Sequence, residues 1–163
     1  MKSTSPFTVV YTSGSWDLFH VGHLRALVRA KSYGDRLIVG ISTDELMLSY
    51  KKVKPVIPYK ERREIIEAIG IVDKVVKQER LMEIAQLKKY KVDIATIGDD
   101  WEGKHLDGLE WMKQNGKKIV YLPYTRHRST TLIKKKIILN AYELIRADLE
   151  RELEIDLPEK KRR

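Results

Sequence analysis

His20 and His23 stand three residues apart around Gly22, where an apolar run ends in Ser13-Gly14-Ser15-Trp16-Asp17 and a segment of helical period begins. A glycine at such a turn lets the backbone approach a ligand, and a helix N-terminus presents unpaired N–H groups to phosphate. Two imidazoles at this junction would aim N–H donors at one phosphate. Zinc ligation is the other functional option, but the neighbouring sequence suggests no third ligand. A second polar cluster, Gly98-Asp99-Asp100-Trp101, follows another apolar run, and Ser129-Thr130-Thr131 opens a long helical stretch. On their own, the aspartates are equally a turn cap, Trp101 loop packing, and the hydroxyl run an ordinary N-cap.

Positive charge gathers in two places. Residues 47–63 hold Lys51, Lys52, Lys54, Lys60, Arg62 and Arg63 against the single acid Glu61. Residues 124–136 hold Arg126, Arg128, Lys134, Lys135 and Lys136 with no acid, while the whole chain of 163 residues carries +9. Clustered charge raises the local concentration of anions. Solvated basic faces are the plain alternative, and an RNA-binding module is a third. That module calls for aromatic residues interleaved with Lys and Arg, which are sparse in both stretches.

These residues sit on an alternating frame. Apolar, β-branched runs occur at Phe7–Tyr11, Arg36–Ile41, Val72–Val76, Val92–Ile97 and Lys118–Leu122. Helical periods occupy Val21–Tyr33, Tyr59–Ile69, Leu81–Tyr90, His105–Gln114 and Thr131–Leu153. The alternation predicts an α/β fold: a Rossmann-like, doubly wound, five-stranded parallel sheet with helices on both faces and a long C-terminal helix. Each chemical motif falls just after a strand, where such sheets bind ligands. The last helix carries a stripe of Ile133, Ile137, Ile138, Ala141, Leu144 and Ile145, and a charged second half that suits solvent or a subunit contact. We expect a catalytic domain over 1–131 and a helical extension with a basic tail over 132–163.

His20-Val21-Gly22-His23 resembles the HxGH signature of the nucleotidyltransferase superfamily, and Gly98-Asp99-Asp100-Trp101-Glu102-Gly103-Lys104 is similar to the loop of bacterial glycerol-3-phosphate cytidylyltransferases. Ile41-Ser42-Thr43-Asp44-Glu45, Tyr121-Leu122-Pro123 and Ser129-Thr130-Thr131 fit the same pattern, so the likeness spans roughly 9–134. HxGH alone is common to adenylyl and cytidylyl enzymes; the Gly98–Lys104 loop narrows it. The resemblance implies transfer of a cytidylyl group from CTP to a small phosphomonoester, with glycerol 3-phosphate first, giving CDP-glycerol and pyrophosphate without a covalent intermediate. Phosphoethanolamine, phosphocholine or a sugar phosphate as acceptor, or ATP as donor, are the related alternatives.

The resemblance also assigns roles. His20 and His23 are catalytic, with Lys51 or Lys52 on a basic loop holding phosphate. Ser13, Gly14, Ser15, Gly22, Gly98, Asp99, Asp100, Trp101, Ser129, Thr130 and Thr131 bind CTP. Arg62 binds the acceptor phosphate. Mg2+ comes mainly on the nucleotide phosphates, with Asp17 as a further contact. The family reads Arg-Thr-Glu-Gly-Ile-Ser-Thr-Thr after its Leu-Pro, whereas this chain reads Tyr124-Thr125-Arg126-His127-Arg128-Ser129-Thr130-Thr131. Arg126 or Arg128 is expected to supply the guanidinium displaced at Tyr124.

With no cysteine, disulfides and thiolate chemistry are excluded. No apolar run nears the roughly 18 residues of a membrane span, and Met1–Pro6 lacks a signal-peptide core. The expected setting is cytoplasmic and the expected state, from the family, a homodimer. Its partners would be the two small substrates, with no nucleic acid.

Overall fold

The computed structural model describes residues 7–125 and 129–153. Five strands form one parallel sheet: β1 (Val9–Gly14), β2 (Arg36–Ser42), β3 (Lys74–Gln78), β4 (Ile94–Gly98) and β5 (Lys118–Leu122), in the order β3-β2-β1-β4-β5. The order reverses beside β1, where the chain first builds outward through β2 and then crosses to β4. That is the switch point at which open parallel sheets leave a crevice at their carboxyl ends. Here those ends are Gly14 and Gly98.

Alternation along β1 sends Val10 to one face and Val9 and Tyr11 to the other, all buried. Val10 packs with Leu27 and Ala30 of α1 (Val21–Lys31) and Ile66 of α3 (Tyr59–Glu67). Tyr11 packs with Leu87 of α4 (Ile84–Lys89) and Leu109 and Met112 of α5 (Asp107–Gln114). The doubly wound expectation is met. Gly108 lets α5 lie directly on the loop before α4: a Cβ there would overlap the Met82 carbonyl oxygen.

Three elements differ from the sequence reading. Residues Asp44–Lys51 form a helix, α2, that the sequence reading did not assign, and it takes in Lys51, which was expected on a loop; Thr43 Oγ1 accepts from Leu46 N–H at 3.0 Å, and Asp44 and Glu45 sit in the first turn. α4 starts at Ile84 rather than Leu81, because Met82 takes a left-handed φ of 46°. β3 begins at Lys74, since Val72 is drawn into the turn after α3 by donating its N–H to Ile69 O.

The last helix, α6 (Thr130–Leu153), starts against the site and leaves Ile137, Ile138, Leu144 and Ile145 exposed. Its expected apolar stripe is therefore not part of the core. No helix among the described residues is long and apolar enough to cross a membrane.

Candidate active site

A cleft of about 360 Å³ opens at the carboxyl ends of β1 and β4. It gathers the turn Ser13–Asp17, His20, Gly22 and His23, Lys51, Gly98, Asp100 and Trp101, and Ser129–Thr131 from four separate stretches of chain.

The β1–α1 turn is built around Trp16. Its backbone is left-handed (φ 55°), as is that of Leu18 (φ 47°), and its indole Nε1 donates to Gly40 O at 3.0 Å. Such conformations in non-glycine residues persist only where surrounding contacts hold them. Gly14 makes room for the indole, whose Cε2 lies 3.3 Å from where a Cβ would be. Trp16 then meets the His23 ring edge-on at 5.5 Å, while His20 stacks on its face at 3.9 Å.

His20 is also the N-cap of α1, its Nδ1 accepting the Gly22 N–H at 3.0 Å. In the neutral ring the proton therefore resides on Nε2, which makes that atom a donor. His23 Nδ1 is buried without a hydrogen-bond partner among the described residues. Burial, followed by the adjoining His20, lowers the pKa of His23 to about 4. Near neutral pH it is an uncharged N–H donor.

Asp17 stands 3 % exposed beneath this turn. Its Oδ1 accepts from the N–H groups of Val56 and Ile57, both at 3.0 Å, and its Oδ2 lies 3.2 Å from Lys134 Nζ. Burial alone would raise its pKa, but the Ile57 and Val56 N–H groups and Lys134 together bring it below the usual value. Both Asp17 oxygens are thus engaged within the protein, and no group of three acidic or histidine ligands occurs among the described residues.

Arg62 needs a correction. It was expected on an acceptor phosphate, yet it is 0 % exposed and outside the cleft lining. Its Nε donates to Ile57 O at 2.8 Å, Nη1 to Ser15 O, and Nη2 to Ser42 O at 2.9 Å and Asp44 Oδ1 at 2.6 Å. The guanidinium ties three segments under the site rather than facing it.

The remaining expectations divide. Lys51 lines the cleft, whereas Lys52 ends α2 in a left-handed conformation (φ 59°) with its Nζ on Ser49 O at 2.8 Å. Asp100 and Trp101 line it from a 3-10 turn, Asp99–Trp101, but Asp99 does not. Ser13 Oγ accepts from Gln78 Nε2 at 3.1 Å. Ser129 Oγ accepts the Leu132 N–H at 3.2 Å, and Thr130 Oγ1 donates to Asp17 O at 2.9 Å. The hydroxyl run thus caps α6 and ties it to the histidine turn. Arg126 and Arg128 lie outside the described residues. Among the lining residues not singled out for the site are Lys54, Lys134 and Tyr50. The two lysines belong to the basic stretches already evident in the sequence; Tyr50 gave no signal.

A polyanion would meet two helix N-termini, neutral imidazole donors and three lysines in this crevice. The fold and site define an α/β protein with a cleft at the strand-to-helix turn that carries His20 and His23. The family model described as Cytidylyltransferase-like matches residues 11–136, and the chain belongs to that family and is a nucleotidyltransferase. It is 42 % identical over 127 residues to the glycerol-3-phosphate cytidylyltransferase of Bacillus spizizenii, covering 77 % of this chain and 94 % of the relative. The Bacillus subtilis protein of the same name is 41 % identical over 129 residues, covering 78 % and 95 %. Among solved structures, the lipopolysaccharide core biosynthesis protein of Thermoplasma volcanium superposes with a TM-score of 0.60 at 20 % identity, over 75 % of this chain and 99 % of that one. That likeness concerns the fold alone.

Proposed function

We propose that the chain transfers the cytidylyl group of CTP to glycerol 3-phosphate, releasing pyrophosphate and CDP-glycerol. An oxygen of the acceptor phosphate attacks the α-phosphorus of CTP, and the bond from that phosphorus to the β-phosphate oxygen breaks on the opposite side. The observation that carries the reading is the stacked His20–His23 pair at the α1 N-terminus, in the same cleft as the α6 N-terminus. Transfer of this kind depends on positioning and charge stabilisation more than on covalent help.

In this reading the Nε2–H of His20 and an N–H of His23 donate to oxygens on the α-phosphate as charge moves there. The α6 N-terminus and Lys134 bind the departing phosphates, and Lys51 and Lys54 balance the remaining charge. Asp100 and Trp101 border the nucleoside end, supported by the relatives' names and the matching Gly98–Lys104 loop. Mg2+ enters as part of the nucleotide substrate. Arg126 and Arg128 remain proposed partners of the triphosphate. Tyr124 lines the cleft where the family pattern has arginine, which favours a second reading in which the acceptor is a different phosphomonoester.

Pyrophosphate release measured with CTP, ATP, GTP and UTP against a panel of phosphomonoesters tests both. Preference for CTP with glycerol 3-phosphate supports the first reading. CTP with another acceptor supports the second, and equal or better release with ATP overturns the cytidylyl assignment.

A further inference from the structure

A nucleic-acid surface needs aromatic rings interleaved with cations, and both basic stretches of the sequence are poor in them. The fold assembles that pattern elsewhere, at the amino ends of the strands, opposite the cleft. β2 starts at Arg36, β3 at Lys74 and β5 at Lys118, and all three are exposed. The register pairs Arg36 with Val9, Lys74 with Ile38 and Lys118 with Ile94, which itself pairs with Val10. The three cations therefore lie within about two residues, or 7 Å, of one line along the sheet edge. Each stands over a ring: Arg36 Cζ is 4.4 Å from the Phe7 centroid, Lys74 Nζ 5.2 Å from that of Tyr90, and Lys118 Nζ 5.3 Å from that of Tyr33. Those rings come from before β1, after α1 and after α4, so no single stretch of sequence displays the interleaving.

The acids at this end are committed to the fold. Asp35 accepts the Thr8 N–H at 2.8 Å, Asp73 the Leu37 N–H at 2.7 Å and Asp93 the Val9 N–H at 3.0 Å, each pinning the start of a neighbouring strand. Lys31 and Lys117 answer Asp73 and Asp93 in ion pairs at 2.6 and 3.6 Å, whereas Arg36, Lys74 and Lys118 make none among the described residues. We propose that this edge binds single-stranded nucleic acid, on the far side of the sheet from the cleft. From β3 to β5 it measures about 19 Å, four strand spacings, which is room for several nucleotides. Cations alone would take any polyanion; the rings between them add platforms on which unpaired bases stack. When a base takes the face of a ring, the cation above it moves to the adjoining phosphate. A duplex keeps its base faces covered, so the single strand is the form that fits.

Fluorescence anisotropy of the full chain with a labelled oligouridylate of about 12 nucleotides tests this, with circular dichroism as the check on folding. At about 50 mM salt the parent should bind with a Kd on the order of 1–100 µM. The R36E/K118E variant should weaken binding at least about tenfold and flatten the slope of log K against log salt by roughly 1.4, two phosphate contacts on a single strand. The K51E/K54E variant changes net charge by the same amount on the cleft side, and it should bind the oligonucleotide within about twofold of the parent. Tyr33→Ala should cost at least about fivefold, the scale of one stacked base, while Tyr33→Phe should keep the parent's affinity. A parent that does not bind overturns the proposal, as does an equal loss in the two charge-reversed variants, which would mean attraction by net charge alone. Tyr33→Ala binding as the parent does, with heparin competing on equal terms, would make the edge a general polyanion surface and overturn it too.

Discussion

The imidazoles of His20 and His23 stack face to face, centroids 3.9 Å apart and planes 17° from parallel. Two protonated rings could not share this spacing without strong repulsion, and the burial of His23 keeps it neutral. The pair is thus two oriented N–H donors, rigidly held by Trp16 and by the Gly22 N–H. Donors that meet charge only in the transition state affect kcat and kcat/KM alike. His20→Ala and His23→Ala should each lower kcat by about 10² to 10³, with the dissociation constant for CTP changed far less. Turnover within a few-fold of the parent would remove that histidine from the chemistry.

The same burial has a signature in stability. An unfolded histidine titrates near 6.5, whereas His23 in the folded chain titrates near 4. Between these values the unfolded chain binds the extra proton, so the contribution of His23 to stability falls as pH drops from 6.5 towards 4. His23→Gln removes this term. Urea unfolding at pH 7 and pH 5 should show a steeper acid loss in the parent than in the variant, by at most about 1.4 kcal/mol per pH unit. Identical pH dependence would mean that His23 titrates in the folded chain as it does in the unfolded one.

The strands were legible because buried parallel strands read as continuous β-branched runs, and β5 falls on its expected residues, Lys118–Leu122. The HxGH turn and the Gly98–Trp101 loop were legible because their chemistry is local in sequence. α2 was not: Met47 is its one buried residue, so no apolar period marks it, and only Thr43 and the acids after it signal a start. Arg62 was misread for a related reason. A run of basic residues does not reveal which member points inward, and the acceptors that claim this guanidinium come from residues 15, 42, 44 and 57. Thr130 shows the same limit, since its acceptor Asp17 lies 113 residues away.

Arg62 accordingly should behave as a brace. Its planar fork serves three backbone carbonyls and one carboxylate at once, a geometry an ammonium cannot reproduce. Arg62→Lys should lower the unfolding free energy on the order of 3 kcal/mol, as breaking a buried, paired charge does. Thermal unfolding checks this. An unchanged melting temperature combined with a raised KM for the phosphomonoester would restore the phosphate-binding role.

Gly108 offers a packing test remote from the chemistry. Its missing Cβ is what allows α5 to sit on the Met82 carbonyl, and backbone cannot swing aside as a side-chain tip can. Gly108→Ala should destabilise the fold by about 1–3 kcal/mol, more than offsetting the better helix propensity of alanine. Chemical denaturation at neutral pH measures it. A variant as stable as the parent would show that α5 can shift outward at little cost.

Lys134 gives the sharpest test of how the cleft handles a polyanion. Its ammonium is partly exposed, lines the cleft and lies 3.2 Å from Asp17 Oδ2. Asp17 is held independently by the N–H groups of Val56 and Ile57, so its position does not depend on the lysine. In the proposed reaction an incoming triphosphate competes with this carboxylate for Lys134, and the higher charge of the nucleotide favours it. Because the lysine meets phosphate charge before the transition state as well as in it, its removal weakens binding rather than the chemical step. Lys134→Met should therefore raise KM for the nucleotide roughly tenfold while kcat falls much less, since charge-assisted bonds are about twice as strong as neutral ones. Lys134→Arg should recover most of the loss. The KM of the parent should also rise with salt more steeply than that of Lys134→Met, because one screened charge pair is missing in the variant. If Lys134→Met binds nucleotide as the parent does, the lysine only anchors α6 to Asp17, and the triphosphate is balanced by the other cations of the cleft.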